Sequence, residues 1–260
     1  MLYLSEMRGN GAFKMINKII HCELAYSRCF SKEIKTVHGI RFTDSELLDM
    51  YDHNYTYLPK ISTNIITQEV LDCFKTQDFC KLVSYEPPID SIPNGEISLM
   101  GVYQFDWAEV LNLKDRDDLV IEVLKQIDTV ADLIACDLAH DEQTLGYDFC
   151  VRRATRRKNV YLSNDGVDCY IAYYKGHPIG KCDLFIHDEI AKIEDFGVNP
   201  CYQHQGFGTA ILKSMIETAI QQNCQLIYLV TDEEDTAKDM YQKLGFHKIA
   251  QRTDYFFKRP

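Results

Sequence analysis

The sequence predicts an α/β protein, and three features carry that expectation. Short apolar or alternating runs rich in Val, Ile, Tyr and Phe recur along the chain, as half-buried strands require. Between them lie segments with helical periodicity. It is clearest where Ile211, Met215 and Ala219 repeat at i, i+4 and i+8 and are joined by Leu212, Ile216 and Ile220. Glycine and proline cluster between the runs, where turns belong.

Taken in order, the first fourteen residues read as loosely attached. Asp44–Tyr51 and Thr67–Thr76 read as helices, the second opened by Thr67 with Glu69 in its first turn. Phe79–Tyr85 and Ile97–Gln104 read as paired strands across the loop Glu86–Glu96, which holds three of the seven prolines and Asn94-Gly95. Asp106–Leu113 and Arg116–Ile127 read as helices. In the second half, Asp141–Lys158 reads as a helix containing Gly146. Val167–Lys175 and Ile179–His187 flank the turn Gly176-His177-Pro178, and Ile190–Val198 is a third strand. A helix over Gly208–Gln222, a strand over Gln225–Thr231, a helix over Asp235–Leu244 stopped by Gly245, and a strand over Arg252–Lys258 complete the chain. At 260 residues the length suits two ordinary domains. The expected division is an N-terminal α/β accessory domain over 1–130 and a second α/β domain over 131–260.

Composition narrows the function classes. Apolar residues make up 46% of the chain, which excludes disorder as its dominant state. No apolar run approaches the ~18 residues of a membrane span. Lys plus Arg is 28 against 39 for Asp plus Glu, and both halves are net acidic. That balance disfavours a nucleic-acid partner and favours a cationic small molecule. Ten scattered cysteines show no pair separated by two residues, so no metal site is expected. The N-terminus lacks the apolar core and cleavage site of a signal peptide, and reduced thiols in a cytoplasm are expected. The cluster Arg152, Arg153, Arg156, Arg157 and Lys158 reads as a solvated helix face rather than an RNA site.

The most informative stretch runs from Val198 to Thr209. A strand ends, Pro200 breaks the pattern, and Gly206-Phe207-Gly208 leads into a long helix. Glycines there let backbone approach a ligand, and the helix's free N–H groups favour an anion. Ile211 stands where a dinucleotide fingerprint needs its third glycine, and no Gly-Lys-Ser/Thr follows, so neither dinucleotide nor P-loop patterns apply. Gln203-x-x-Gly206-x-Gly208, preceded by Val198-x-Pro200, resembles motif A of the GNAT superfamily of acyl-CoA N-acyltransferases. Ala237-x-x-x-Tyr241-x-x-x-Gly245-Phe246 resembles its motif B.

The resemblance, covering roughly 161–258, implies a C-terminal GNAT-like fold with a mixed, splayed sheet. A degenerate copy of that fold is one reading of the N-terminal domain. It implies acetyl-CoA as co-substrate, with Phe196, Gly197 and Val198 pairing with the pantetheine arm. The loop Gln203, His204, Gln205, Gly206, Phe207, Gly208 and Thr209 would wrap the pyrophosphate. Gln203 stands where the family often has Arg, and Glu234 where it often has Asn. Tyr241 would be the general acid at the thioester sulfur. Of the two strand carboxylates, Glu194 is chosen over Asp195 as the general base. His187, His204 and His247 are further base candidates. The implied function is acetyl transfer directly to a primary amine on a small cation, a peptide or a lysine, by a monomer or homodimer. A non-catalytic acyl-CoA-binding regulatory protein is the alternative.

Overall fold

A computed structural model describes residues 10–89, 91–125, 130–163 and 166–260. The chain divides into two compact units. One comprises Met1–Tyr103, Val230–Asp239 and Lys248–Pro260; the other comprises Gln104–Leu229 and Met240–His247. Residues 230–239 and 248–260 thus belong to the first unit.

The first unit begins with α1 (Asn10–Phe30), then β1 (Lys32–Lys35), β2 (Ile40–Thr43), β3 (Thr56–Tyr57), α2 (Thr63–Cys73), β4 (Phe79–Ser84) and β5 (Glu96–Phe105). Residues 1–9 of the stretch expected to be loose lie outside the described residues, whereas Asn10–Lys14 belong to α1. β1–β2 and β2–β3 pair antiparallel, and β3–β4 pair parallel across α2. The expected β4–β5 pair does not form. The final strand, β11 (Phe246–Lys258), lies between them and pairs antiparallel with β4. Arg252 of β11 reaches Glu23 of α1 at 3.3 Å, and Asp254 reaches Lys81 of β4 at 3.1 Å.

Asp44–Tyr51 is a chain of turns, not a helix. Asp44 accepts from the Glu46 amide, and Asn54 donates to the carbonyls of Leu47 and Met50, so local side-chain bonds replace the helical ladder. The following helix starts earlier than expected. Ser62 caps it by accepting from the Ile65 amide at 3.3 Å.

In the second unit, Asp106 caps a short 3-10 segment, Trp107–Asn112. β6 (Leu119–Val123) replaces the helix expected over 116–127, whose last two residues lie outside the described residues. Its alternation suits an edge strand, and it pairs antiparallel with β7 (Val167–Tyr174). The single helix expected over 141–158 is two, α3 (Val130–Leu145) and α4 (Tyr147–Ser163), because Gly146 adopts φ +83° between them.

β7, β8 (His177–His187) and β9 (Ile190–Val198) form the expected meander. Its two hairpins turn on Lys175-Gly176 and Asp188-Glu189, each with two successive positive φ values that match strand twist. α5 (Phe207–Gln221) then crosses to β10 (Leu226–Asp232), which runs parallel to β9. α5 buries Phe207, Ala210, Ile211, Leu212, Met215, Ile216 and Ala219, a stripe that packs on β8 and β9. α3 lies against the same two strands.

Both units thus contain helix–β–β–β–helix–β, with two antiparallel pairings followed by a parallel one. The α/β class and the splayed mixed sheet agree with expectation. All ten cysteines are free thiols, and no described helix is long and apolar enough to cross a membrane.

Candidate active site

The site is built at the C-terminal end of β9. The parallel ladder with β10 ends at Ile193↔Leu229, whereas β8 still pairs with β9 at Lys181↔Gly197 and Gly180↔Val198. Residues 196–198 are therefore held along one edge only and carry no β10 partner. A bulge precedes them: Asp195 and Phe196 oppose the single residue Cys182, and Asp195 takes φ +49°. Gly180 and Gly197 keep the backbones close, since a Cβ on Gly180 would lie 2.5 Å from the Gly197 carbonyl oxygen.

The loop after β9 is fixed by its own side chains. Asn199 accepts from the Cys201 amide, Gln203 donates to the Val198 carbonyl at 2.9 Å, and Gln205 donates to the Cys201 carbonyl at 3.1 Å. Gln203 thus closes the loop. His204 and Gly206 take φ +58° and +86°, so the backbone curls into a concavity of the kind that collects N–H groups. Gly206 begins α5 without any side-chain cap, leaving the amides of the first turn, Phe207 to Thr209, without intrahelical acceptors. Gly208 lets the helix approach the strand: a Cβ there would sit 3.2 Å from the Phe196 ring and 3.8 Å from the Met240 sulfur.

Tyr241, on α6 (Ala237–Lys243), is buried, with its ring 6.4 Å from that of Phe196 and 6.0 Å from that of Phe246. The ends of β9, α5 and α6 therefore meet around Phe196. Gly245 takes φ +94° and ends α6 as its position after the helix predicted.

The two strand carboxylates have different surroundings. Glu194 pairs with the buried ammonium of Lys192 at 2.8 Å. Asp195 joins an ionic cluster that sequence reasoning missed. Arg157 bridges Asp195 at 2.6 Å and Asp183 at 2.9 Å, while Lys181 contacts Asp195 and lies 2.5 Å from Asp137. Arg153 binds Asp137 at 2.9 Å and Asp141 at 2.5 Å, and Tyr161 donates to Asp183. Four carboxylates therefore face three cations. Burial pushes Asp183 up to about 7 against the pull of Arg157. Burial also opposes ionisation of Asp195, but Arg157, Lys181 and Arg153 outweigh it and hold that carboxyl well below the usual range.

Arg153 and Arg157 correct the reading of the basic run as a solvated face. They sit four residues apart on the inward face of α4 and are 5% and 4% exposed. That spacing, beside Cys150, Ala154 and Tyr161, was the available sequence signal. His140 was also missed. Its Nδ1 lies 3.4 Å from the point a Cβ on Gly197 would occupy.

The acetyltransferase (GNAT) family profile matches residues 127–246. CgeE, an uncharacterized N-acetyltransferase of Bacillus subtilis, is 34% identical over 84 residues, 32% of this chain and 32% of that protein. The ribosomal protein bS18-alanine N-acetyltransferase of Haemophilus influenzae is 29% identical over 66 residues, 25% of this chain and 45% of that protein. The matches span less than half the length of either relative. A functionally unknown conserved protein of Staphylococcus epidermidis shares the fold, with a TM-score of 0.72 at 19% identity over 88% of this chain and 95% of that one. The split strand and the uncapped glycine turn both fall within residues 127–246, the stretch over which this chain is similar to the GNAT acetyltransferase family.

Proposed function

We propose that this chain is an N-acetyltransferase that moves an acetyl group from acetyl-CoA directly to a primary amine. The observation that carries the reading is the open edge of Phe196–Val198 beside the uncapped start of α5. An extended amide-bearing arm can add to the first as a strand, and a pyrophosphate can bind the second through backbone N–H groups. The loop Gln203–Thr209 takes the phosphates. Amides at the β9 end polarise the thioester carbonyl.

Glu194 accepts the proton that frees the amine lone pair. The amine nitrogen then attacks the thioester carbon to form the C–N bond. The C–S bond breaks, the departing thiolate takes its proton from Tyr241, and the second proton lost by the nitrogen restores the Tyr241 hydroxyl through solvent. The Bacillus and Haemophilus relatives are both named N-acetyltransferases, the latter acting on an alanine, which supports an amine acceptor on a small cation, a peptide or a lysine. Ten free cysteines support a reducing, cytoplasmic setting.

Residues 131–260 carry the catalytic role in this reading, and 1–130 an accessory one. The first unit is a degenerate copy of the fold, supported by its matching strand order. At the position matching the anion loop it has Pro59-Lys60-Ile61-Ser62 with no glycine, and Ser62 caps the helix that would otherwise face a ligand.

The test is calorimetric titration of acetyl-CoA, followed by thiol-release assays with Tyr241→Phe. Micromolar binding is expected, with kcat in the variant reduced roughly a hundredfold or more and acetyl-CoA affinity retained. Absence of binding at millimolar acetyl-CoA rejects the reading. An unchanged kcat rejects Tyr241 as the acid.

A further inference from the structure

The segment Asp115–Asp118 lies upstream of the residues matched by the family profile, yet it is fastened to the anion loop. The Arg116 guanidinium lies 3.8 Å from the Phe207 ring centroid and 5.8 Å from that of Tyr174. Its Nη1 donates to the Gln205 carbonyl at 2.5 Å. Nε and Nη2 fork onto Asp118 at 2.8 and 2.7 Å. Beside it, Asp115 accepts from Lys213 of α5 at 2.8 Å.

We infer that Arg116 is a positioning residue for the phosphates of the acyl-CoA, acting through the Gln205 carbonyl, an inference that rests on the acetyl-CoA reading above. The physical argument is geometric. Peptide planes are rigid, so fixing the direction of the Gln205 carbonyl fixes the Gly206 N–H on the opposite side of the same plane. Gly206, at φ +86° and without a Cβ, has the least intrinsic preference for its conformation and gains most from an external clamp. The planar guanidinium suits the task. It stacks on Phe207, the first residue of α5, and bonds the loop two residues earlier, so one group sets both sides of the glycine.

The fork to Asp118 occupies Nε and Nη2 and neutralises the charge. Arg116 therefore acts by orientation rather than by meeting the phosphate directly. Gln203 is occupied in the same way: its amide closes the loop onto Val198. The loop is thus shut by a neutral side chain from within and clamped by an arginine from outside the residues that the family profile matches.

The experiment uses the full chain as wild type, Arg116→Ala and Arg116→Lys, titrated calorimetrically with acetyl-CoA and with S-acetylpantetheine, which lacks the phosphates. Arg116→Ala is expected to weaken acetyl-CoA binding roughly tenfold, the loss of about one charge-assisted hydrogen bond. Its affinity for S-acetylpantetheine should stay within twofold. Arg116→Lys keeps a donor without the planar fork and should fall between. The dependence of acetyl-CoA affinity on salt should run parallel in wild type and Arg116→Ala, because the neutralised pair contributes little net charge.

Equal acetyl-CoA affinity in wild type and Arg116→Ala overturns the inference, as does an equal loss for both ligands, which marks a general structural defect. A shallower salt dependence in the variant overturns the orienting role in favour of direct phosphate contact. Wild-type protein that binds neither ligand removes the acetyl-CoA reading and this inference with it. If Arg116→Ala does not fold, Arg116→Lys with the same two ligands decides the question, since loss confined to acetyl-CoA is still required.

Discussion

Asp183→Asn tests the ionic cluster behind the β9 bulge. The cluster sets Asp137, Asp141, Asp183 and Asp195 against Arg153, Arg157 and Lys181, so one negative charge is in excess when all seven groups ionise. Asp183 is fully buried and is pushed up to about 7 by that burial. The folded chain therefore holds this proton more tightly than the unfolded chain, and stability falls as pH rises from about 4 through about 7. At 1.36 kcal/mol per tenfold change, the distance from an aspartate's ordinary 3.8 corresponds to about 4 kcal/mol at most. Asp195 works in the other direction. Its carboxyl is held low, so its contribution is present above about pH 4 and is lost only in stronger acid.

Asparagine at position 183 keeps an acceptor for Arg157 and Tyr161 and leaves three carboxylates facing three cations. Denaturant titrations followed by the fluorescence of Trp107, the single tryptophan of the chain and part of the second unit, measure the effect between pH 4.5 and 8. The wild type should lose stability across that interval, by up to about 10 °C if read as a melting temperature. Asp183→Asn should be nearly flat and at least as stable as wild type at pH 8. Parallel pH profiles for the two proteins, or a variant several kcal/mol weaker at pH 8, would refute the excess-charge argument.

Three further outcomes follow from particular contacts. Gly180→Ala places a Cβ 2.5 Å from the Gly197 carbonyl oxygen and should cost about 1–3 kcal/mol while raising the Kd for acetyl-CoA, measured by denaturation and calorimetry. Ser62→Ala removes the cap of α2 and should cost about 1 kcal/mol in the first unit with no change in acetyl-CoA affinity. Arg157→Met leaves Asp183 and Asp195 without their shared partner and should cost about 3–5 kcal/mol, seen as an early denaturation midpoint.

Much of the second unit was legible from sequence because its elements obey local rules. Strand alternation, the α5 stripe and the glycine after α6 each fix an element within a few residues, so the expected and observed ends of β9, α5 and β10 nearly coincide. Errors arose where distant chain decides local form. β6 became a strand because β7 offers it an edge, and β4 and β5 are separated because β11 arrives from 150 residues away. The site divides in the same way. The glycine turn and Phe196–Val198 announce themselves by spacing. Arg116 and Asp183 do not, since their meaning lies in which carbonyl or cation they meet across the fold.

The position of β11 has a consequence for how the protein is made. Its residues tie α1 through Arg252 and Glu23, and β4 through Asp254 and Lys81. During synthesis the first helix and β4 emerge long before the strand that completes their sheet, so β4 must wait with an unpaired edge while more than 150 residues are added. Folding from the N-terminus forward is thus foreclosed for the first unit. Its last partner is β11, and a nascent chain stalled before residue 246 would present β4 to the cell's chaperones.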